Sequence, residues 1–121
     1  MFRARVIHTF SAAHRLREYR GDCERLHGHN YRVEVVVQSP VLDPVGIVMD
    51  FRELKGLLKE ALAGLDHQYL NDLEPFADDN PSAENIARHV FASLAPLVKK
   101  PVELAEVVVW ENDTSSISIT P

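Results

Sequence analysis

Apolar and polar side chains alternate at the start of the chain. Residues 2–10 place apolar side chains mainly on one parity and polar ones on the other, which is typical of a half-buried strand. A second alternating stretch, rich in valine, covers residues 30–38 and predicts another strand. The long polar segment between them contains Gly21 and Gly28. A loop of that length between neighbouring strands is uncommon unless it has a function.

Helical spacing replaces alternation in the middle of the chain. After Asp50, apolar residues recur every three or four positions as far as Leu65, which predicts a capped helix with one buried stripe. A second helix is predicted to begin at Asn80-Pro81-Ser82 and to continue to Val98, before Pro101. The two helices are expected to bury their apolar stripes against a sheet.

Two more strands are predicted at the end of the chain, over residues 102–111 and around residues 117–119. The order ββααββ predicts an α+β fold in which a four-stranded antiparallel sheet carries both helices on one face. Such a sheet has two open edges, and proteins often protect edges by pairing them. We therefore expect the chain to form an oligomer.

Composition narrows the class of protein. With 121 residues, 45% of them hydrophobic and 26% charged, the chain is expected to form a single domain over residues 1–121. The single cysteine excludes an internal disulfide. A net charge of −5 argues against nucleic acid as a partner. The sequence contains neither a membrane-spanning apolar run nor a signal peptide, so a cytoplasmic location away from membranes is expected.

Histidines supply the strongest chemical signal. His27 and His29 are two residues apart and share one side of an extended segment, and His14 ends the strand expected to pair with it. Three neutral imidazoles with an open fourth position are typical of catalytic zinc; the alternative is a set of surface loop histidines. His8 is interpreted as packed in its strand and His89 as a surface residue.

Three further positions carry candidate chemistry. Cys23 lies four residues before the histidine pair, where a thiolate would be favoured; it could instead be a small buried residue or a fourth zinc ligand. Asp66 and His67 follow the first helix as a carboxylate–imidazole pair, or as an ordinary polar loop. Glu111 ends the most apolar strand, where a ligand with paired N–H donors would satisfy it; otherwise it is a solvated strand end.

Seven sequence motifs occur in order along the chain. They read FSAAH, Cys23, HGHNY, GIVMDF, LDH, PSAEN and WE. Together they resemble the 6-pyruvoyltetrahydropterin synthase superfamily, and most closely its bacterial 6-carboxytetrahydropterin synthase branch in the queuosine pathway.

This resemblance implies the T-fold, a ββααββ unit. In that family three subunits close a twelve-stranded barrel, two trimers stack into a homohexamer, and active sites lie between subunits. The roles that the resemblance implies are zinc ligation, a catalytic thiol, its relay partners, a pterin anchor and further substrate contacts. In that order the residues are His14, His27 and His29; Cys23; Asp66 and His67; Glu111; and Ser82 and Glu84.

The implied reaction converts 7,8-dihydroneopterin triphosphate to 6-carboxy-5,6,7,8-tetrahydropterin, acetaldehyde and triphosphate, with Zn²⁺ as cofactor. One alternative is the 6-pyruvoyl synthase reaction, which eliminates triphosphate. Another is formation of a hydroxymethyldihydropterin, because Glu24 precedes HGH in the manner of a third branch. A zinc- or pterin-binding module without activity is the alternative outside enzymes.

Overall fold

The structure, a computed structural model, describes residues 1–18 and 25–121. Within them the chain forms five strands and two α-helices. In chain order these are β1 (Phe2–His14), β2 (His27–Ser39), α1 (Phe51–Ala63), β3 (Gln68–Tyr69), α2 (Ala83–Leu94), β4 (Glu103–Asn112) and β5 (Ser115–Ile119). No helix in these ranges is both long enough and apolar enough to cross a bilayer.

The strands form one sheet in the order β3-β1-β2-β4-β5. The pairs β1–β2, β2–β4 and β4–β5 are antiparallel, but β3 runs parallel to β1 beside Ala12 and Ala13. The prediction of four strands in a purely antiparallel sheet is therefore wrong, because it lacks β3. A strand of two residues has no periodicity from which it could be predicted.

Both helices pack on the same face of the sheet. The buried side chains of α1 and α2, such as Leu58 and Ile86, join Val33 and Val35 of β2 in one core. Fully burying each such side chain contributes roughly 1.5–3 kcal/mol. This arrangement confirms the predicted α+β class, and the helices of the described ranges leave the opposite face of the sheet uncovered.

Local hydrogen bonds set the helix boundaries. The Asp50 carboxylate accepts the Arg52 N–H at the start of α1, and Ser82 accepts the Asn85 N–H at the start of α2. The second helix ends at Leu94 rather than at Val98, and a short 3₁₀ turn follows it. The reason is Pro96, which lacks an N–H and cannot continue an α-helix.

Two β-bulges interrupt the alternation of β4. Its pairing with β2 passes from Glu106 to Leu104, which makes Ala105 an extra residue. Its pairing with β5 passes from Trp110 directly to Asn112, so Glu111 is a second extra residue. A bulge bends the strand and redirects a side chain, and the second one lies at a candidate functional residue.

Candidate active site

Three histidines meet where β1 ends and β2 begins. The strand register places His14 opposite His27 and Ala12 opposite His29. One ring nitrogen of each of the three histidines lies within 4.8 Å of the others, which is a grouping that could hold a metal ion. The histidines that the sequence spacing singled out are thus brought together by the hairpin.

Backbone carbonyls fix the tautomers of two of these rings. His14 Nδ1 lies 2.7 Å from the Pro81 carbonyl oxygen, and His27 Nδ1 lies 2.6 Å from that of Arg25. A carbonyl only accepts, so each Nδ1 carries a proton, and in the neutral form of each ring the Nε2 presents a lone pair. The two Nε2 atoms are 2.8 Å apart. A metal ion between them would relieve the repulsion of the facing lone pairs.

The protonation states of His14 and His29 also fit a metal site. Burial is the main cause that lowers the pKa of His14 and of His29, with the Glu111 charge acting in the opposite direction on both. These rings therefore stay neutral, as metal ligation requires. Among the described residues, His29 Nε2 is buried without a hydrogen-bond partner. A group of three imidazole nitrogens is a donor set that suits Zn²⁺.

Tyr31 is a part of this site that the sequence analysis missed. It is fully buried, its hydroxyl lies 3.2 Å from His14 Nδ1, and its ring packs edge-on to His29. Burial, followed by the Glu111 charge, raises the pKa of Tyr31, so the phenol stays neutral. A signal existed, because Tyr31 continues the alternation of His27 and His29 on the same face of β2.

The three expected substrate contacts, Ser82, Glu84 and Glu111, line one cavity of about 190 Å³. Leu16 and residues at the start of β5 complete its walls. The bulge directs Glu111 to this cavity, and its charge acts on His14 and His29. A carboxylate-lined cavity therefore adjoins the histidine cluster.

Asp66 and His67 form a hydrogen-bonded carboxylate–imidazole pair at the edge of β1 on which β3 lies. Asp66 Oδ1 accepts the Ser11 N–H at 3.0 Å and lies 2.9 Å from His67 Nδ1. The Ser11 N–H is the main cause that lowers the pKa of Asp66, followed by His67. The His67 N–H in turn donates to the Ser11 carbonyl, 2.6 Å away.

The side chain of His67 is 81% exposed. It lines a second cavity, of about 500 Å³, together with His29. In the described part of the chain the Asp66–His67 pair makes no hydrogen bond to the histidine cluster. The pair is thus preassembled and open to a further group.

Cys23 and Glu24 lie outside the described residues, so their roles stay predictions. The sequence places both in the segment that leads from β1 to His27. The assignment of a chemical role to either residue is supported by residue type and sequence spacing alone.

The fold and the site define a class: α+β proteins in which three histidines that could hold a metal ion lie beside a carboxylate-lined cavity. Comparison with known proteins narrows this class. The sequence model of the family described as 6-pyruvoyl tetrahydropterin synthase matches residues 3–121, so the chain belongs to this family. The family is one of enzymes that act on pterins.

Individual relatives carry more than one activity name. The 6-carboxy-5,6,7,8-tetrahydropterin synthase of Synechocystis is 43% identical over 71% of this chain and 69% of its own length. The dihydroneopterin monophosphate aldolase of Pyrococcus furiosus is 33% identical over 97% of both chains. The structure of 6-pyruvoyl tetrahydropterin synthase from Caenorhabditis elegans superposes with a TM-score of 0.88 at 28% identity, covering 99% of this chain and 95% of that one.

Proposed function

We propose that the protein is a zinc-dependent 6-carboxy-5,6,7,8-tetrahydropterin synthase of queuosine biosynthesis, acting in the cytoplasm. Its substrate would be 7,8-dihydroneopterin triphosphate, and its products 6-carboxytetrahydropterin, acetaldehyde and triphosphate. One water is consumed, and the net two-electron oxidation of the three side-chain carbons, which become the carboxyl group and acetaldehyde, balances the two-electron reduction of the ring. The observation that carries the proposal is the position of Glu111 in a cavity beside the three histidines.

Substrate binding is assigned to the cavity of Glu111. A pterin presents its 2-amino group and N3–H along one edge, and a carboxylate can accept both hydrogen bonds at once. Ser82 and Glu84 line the same cavity and would contact the bound ring. Holding the ring here would bring its side chain toward the histidines, so that binding energy is used for orientation.

Proton transfer is assigned to two groups. His14, His27 and His29 would hold Zn²⁺, which would supply Lewis acidity to the hydroxyls of the substrate side chain. Cys23, as a thiolate, would remove a proton from the side chain. The Asp66–His67 pair would transfer a proton at the other side, because Asp66 orients the imidazole through Nδ1 and leaves Nε2 for the substrate.

Oligomerisation into a homohexamer, a dimer of trimers built on barrels, is part of the proposal. It is supported by the two edges of the sheet: β3 covers β1 only at Ala12 and Ala13, and β5 ends the sheet on the other side. Pairing these edges between copies would satisfy both. The exposed His67 would then lie at a boundary between subunits.

Product analysis tests the reaction. Zinc-loaded protein is incubated with 7,8-dihydroneopterin triphosphate, and the products are identified by mass spectrometry. We expect 6-carboxytetrahydropterin and acetaldehyde. A 6-pyruvoyl product would overturn the carboxy assignment within the family, and binding without turnover would favour a pterin-binding module.

A second candidate is an aldolase that forms a hydroxymethyldihydropterin. The similarity to the aldolase of Pyrococcus furiosus and the presence of Glu24 beside Cys23 favour it. Comparing Cys23→Ala with Glu24→Gln separates the candidates. We expect Cys23→Ala to keep zinc and to lose roughly 10²–10⁴-fold in rate; if only Glu24→Gln loses activity, the aldolase is the better assignment.

A further inference from the structure

The segment that follows β1 is held by two asparagine side chains. The Asn71 amide accepts the Arg15 N–H and donates to the Arg15 carbonyl, both at 2.9 Å. The Asn80 amide accepts the Arg17 N–H at 2.7 Å and donates to the Arg17 carbonyl at 2.9 Å. Each amide pairs with the backbone as a neighbouring strand would. Leu16, between the two clamped residues, lines the cavity of Glu111.

The segment of residues 80–82 connects this clamp to both halves of the site. The carbonyl oxygen of Pro81, next to Asn80, lies 2.7 Å from His14 Nδ1 and orients that ring. Ser82 caps α2 and lines the cavity. The carbonyl of Asn80 itself accepts Asn85 Nδ2 at 2.8 Å, which ties the segment to the first turn of α2.

The Arg17 side chain reinforces the same contact. Its guanidinium donates to the carbonyl of Phe76 at 2.9 Å and to that of Asn71 at 3.2 Å. The backbone of Arg17 and its side chain are therefore bonded to the same stretch of chain that ends at Asn80. This makes residues 15–17 and 71–82 one hydrogen-bonded unit.

We propose that Asn80 is a positioning residue that sets the distance and angle between the metal ligand His14 and the substrate cavity. The proposal rests on the proposed function for the identity of the substrate, but not for the metal. Asn80 holds the backbone three residues after His14 and, through the next residue, the carbonyl that orients the His14 ring. Leu16 lies between Arg15 and Arg17, whose backbone groups are held by Asn71 and Asn80, so the cavity wall and the His14 ring are tied to the same stretch of backbone.

Asparagine is suited to this task because its amide is both donor and acceptor. Alanine removes both bonds to Arg17, and serine is too short to make both at once. The carbonyl of Pro81 belongs to the backbone and cannot be removed by substitution. Substituting the neighbouring Asn80 is therefore the way to disturb the contact between Pro81 and His14. Groups that orient a metal ligand through hydrogen bonds typically contribute 10- to 100-fold to metal affinity or activity.

The test measures metal affinity in the absence of substrate. Zinc is titrated against a chromophoric chelator for the full-length parent, for Asn80→Ala and for the milder Asn80→Ser, and the visible spectrum of the Co²⁺-loaded proteins reports ligand geometry. Asp43→Ala is the matched control, because Asp43 also makes two side-chain bonds to backbone N–H groups, those of Val45 and Ile47, in a loop beyond the far end of β2.

We expect Asn80→Ala to lose roughly tenfold or more in zinc affinity, to change the Co²⁺ spectrum and to bind a pterin more weakly. Asp43→Ala should lower the melting temperature without these effects. Parental zinc affinity and an unchanged Co²⁺ spectrum in both Asn80 variants would overturn the inference. If the parent fails to turn over the pterin while the metal effects persist, the proposed function fails and the positioning role stands.

Discussion

The orientation of the His27 ring gives the first prediction at the scale of a single residue. Its Nδ1 is held by the Arg25 carbonyl, so its Nε2 faces the other ligands. We expect His27→Ala to lose bound zinc, because only His14 and His29 would remain. Elemental analysis of the desalted protein measures this, and His8→Ala, a strand histidine outside the cluster, is the control. Undiminished zinc in the His27 variant would contradict the assignment.

The proposed pterin anchor, Glu111, gives a second prediction at the scale of a single residue. In Glu111→Gln an amide donor would face one of the ring donors, so a charged hydrogen bond worth about 1.5–3 kcal/mol is lost. We expect pterin affinity to fall roughly ten- to a hundred-fold with zinc content unchanged. Titration of a pterin into both proteins measures it. Glu106→Gln is the control, since Glu106 lies in the same strand but pairs with Arg3; equal affinities for parent and Glu111 variant would refute the anchor.

Part of the site could be predicted from the sequence, for a physical reason. The spacing of His27 and His29 and the position of His14 at a strand end depend only on local geometry, so their convergence follows once β1 and β2 pair. The Pro81 carbonyl on His14 could not be predicted, because that contact joins residues 67 positions apart. The hydrogen bonds between Asn80 and Arg17 could not be predicted for the same reason, because these residues are also far apart in the sequence.

At the scale of elements, the N-terminus of α2 contributes to the stability of the fold and also lines the candidate site. The Ser82 hydroxyl oxygen accepts the Asn85 N–H, and removing such a cap costs typically about 1 kcal/mol. We expect Ser82→Ala to lower the free energy of unfolding by about that amount and Ser82→Asp to restore it, as measured by denaturant unfolding.

Ser93→Ala provides the control for this measurement. The Ser93 hydroxyl donates to the His89 carbonyl inside the same helix, a type of bond that does not stabilise helices. Its removal should leave stability nearly unchanged. An equal loss in the Ser82 and Ser93 variants would show that the cap contributes nothing specific.

Strands and helices could be predicted where the apolar residues repeat with a regular period over enough positions. Alternation predicted β1 and β2, and spacing of three and four predicted α1. In β4 the period fails, since Leu104 and Val107 both enter the core although they differ in parity. The extra residue at Ala105 shifts the alternation by one, so that both side chains face the core. No local sequence pattern predicts this bulge.

At the scale of the whole molecule, acid stability reflects partly buried histidines. The sequence analysis expected His89 at the surface, but it is half-buried and packs against Phe76. Burial lowers the pKa of His89 from 6.5, with Glu74 opposing. The unfolded chain therefore binds a proton more readily, and the free energy of unfolding falls as the pH drops below about 6.5.

We expect His89→Gln to lose less stability than the parent between about pH 7.5 and about pH 5. Urea unfolding at the two pH values, with a chelator present in both proteins, measures the difference. The same loss in parent and variant would show that His89 does not contribute to acid sensitivity.

The proposed homohexamer gives a prediction for the number of subunits. If the free edges of β1 and β5 pair between copies, native mass spectrometry should show six chains, with trimers as the main product of mild dissociation. A monomer at micromolar concentration, with zinc bound, would contradict the barrel.

The bulge at Glu111 makes the proposed pterin anchor depend on chain length as well as on side-chain identity. Deleting the single residue Trp110 would place Glu111 opposite Ser116 and let β4 and β5 pair without interruption. Glu111 would thereby shift by one position, which exchanges the two faces of a strand. The core face of β4, with Val107 and Val109, would remain intact. Descendants of this sequence could therefore lose the anchor through a one-codon deletion while keeping every anchor residue and the fold, and a residue-by-residue alignment would still show the glutamate.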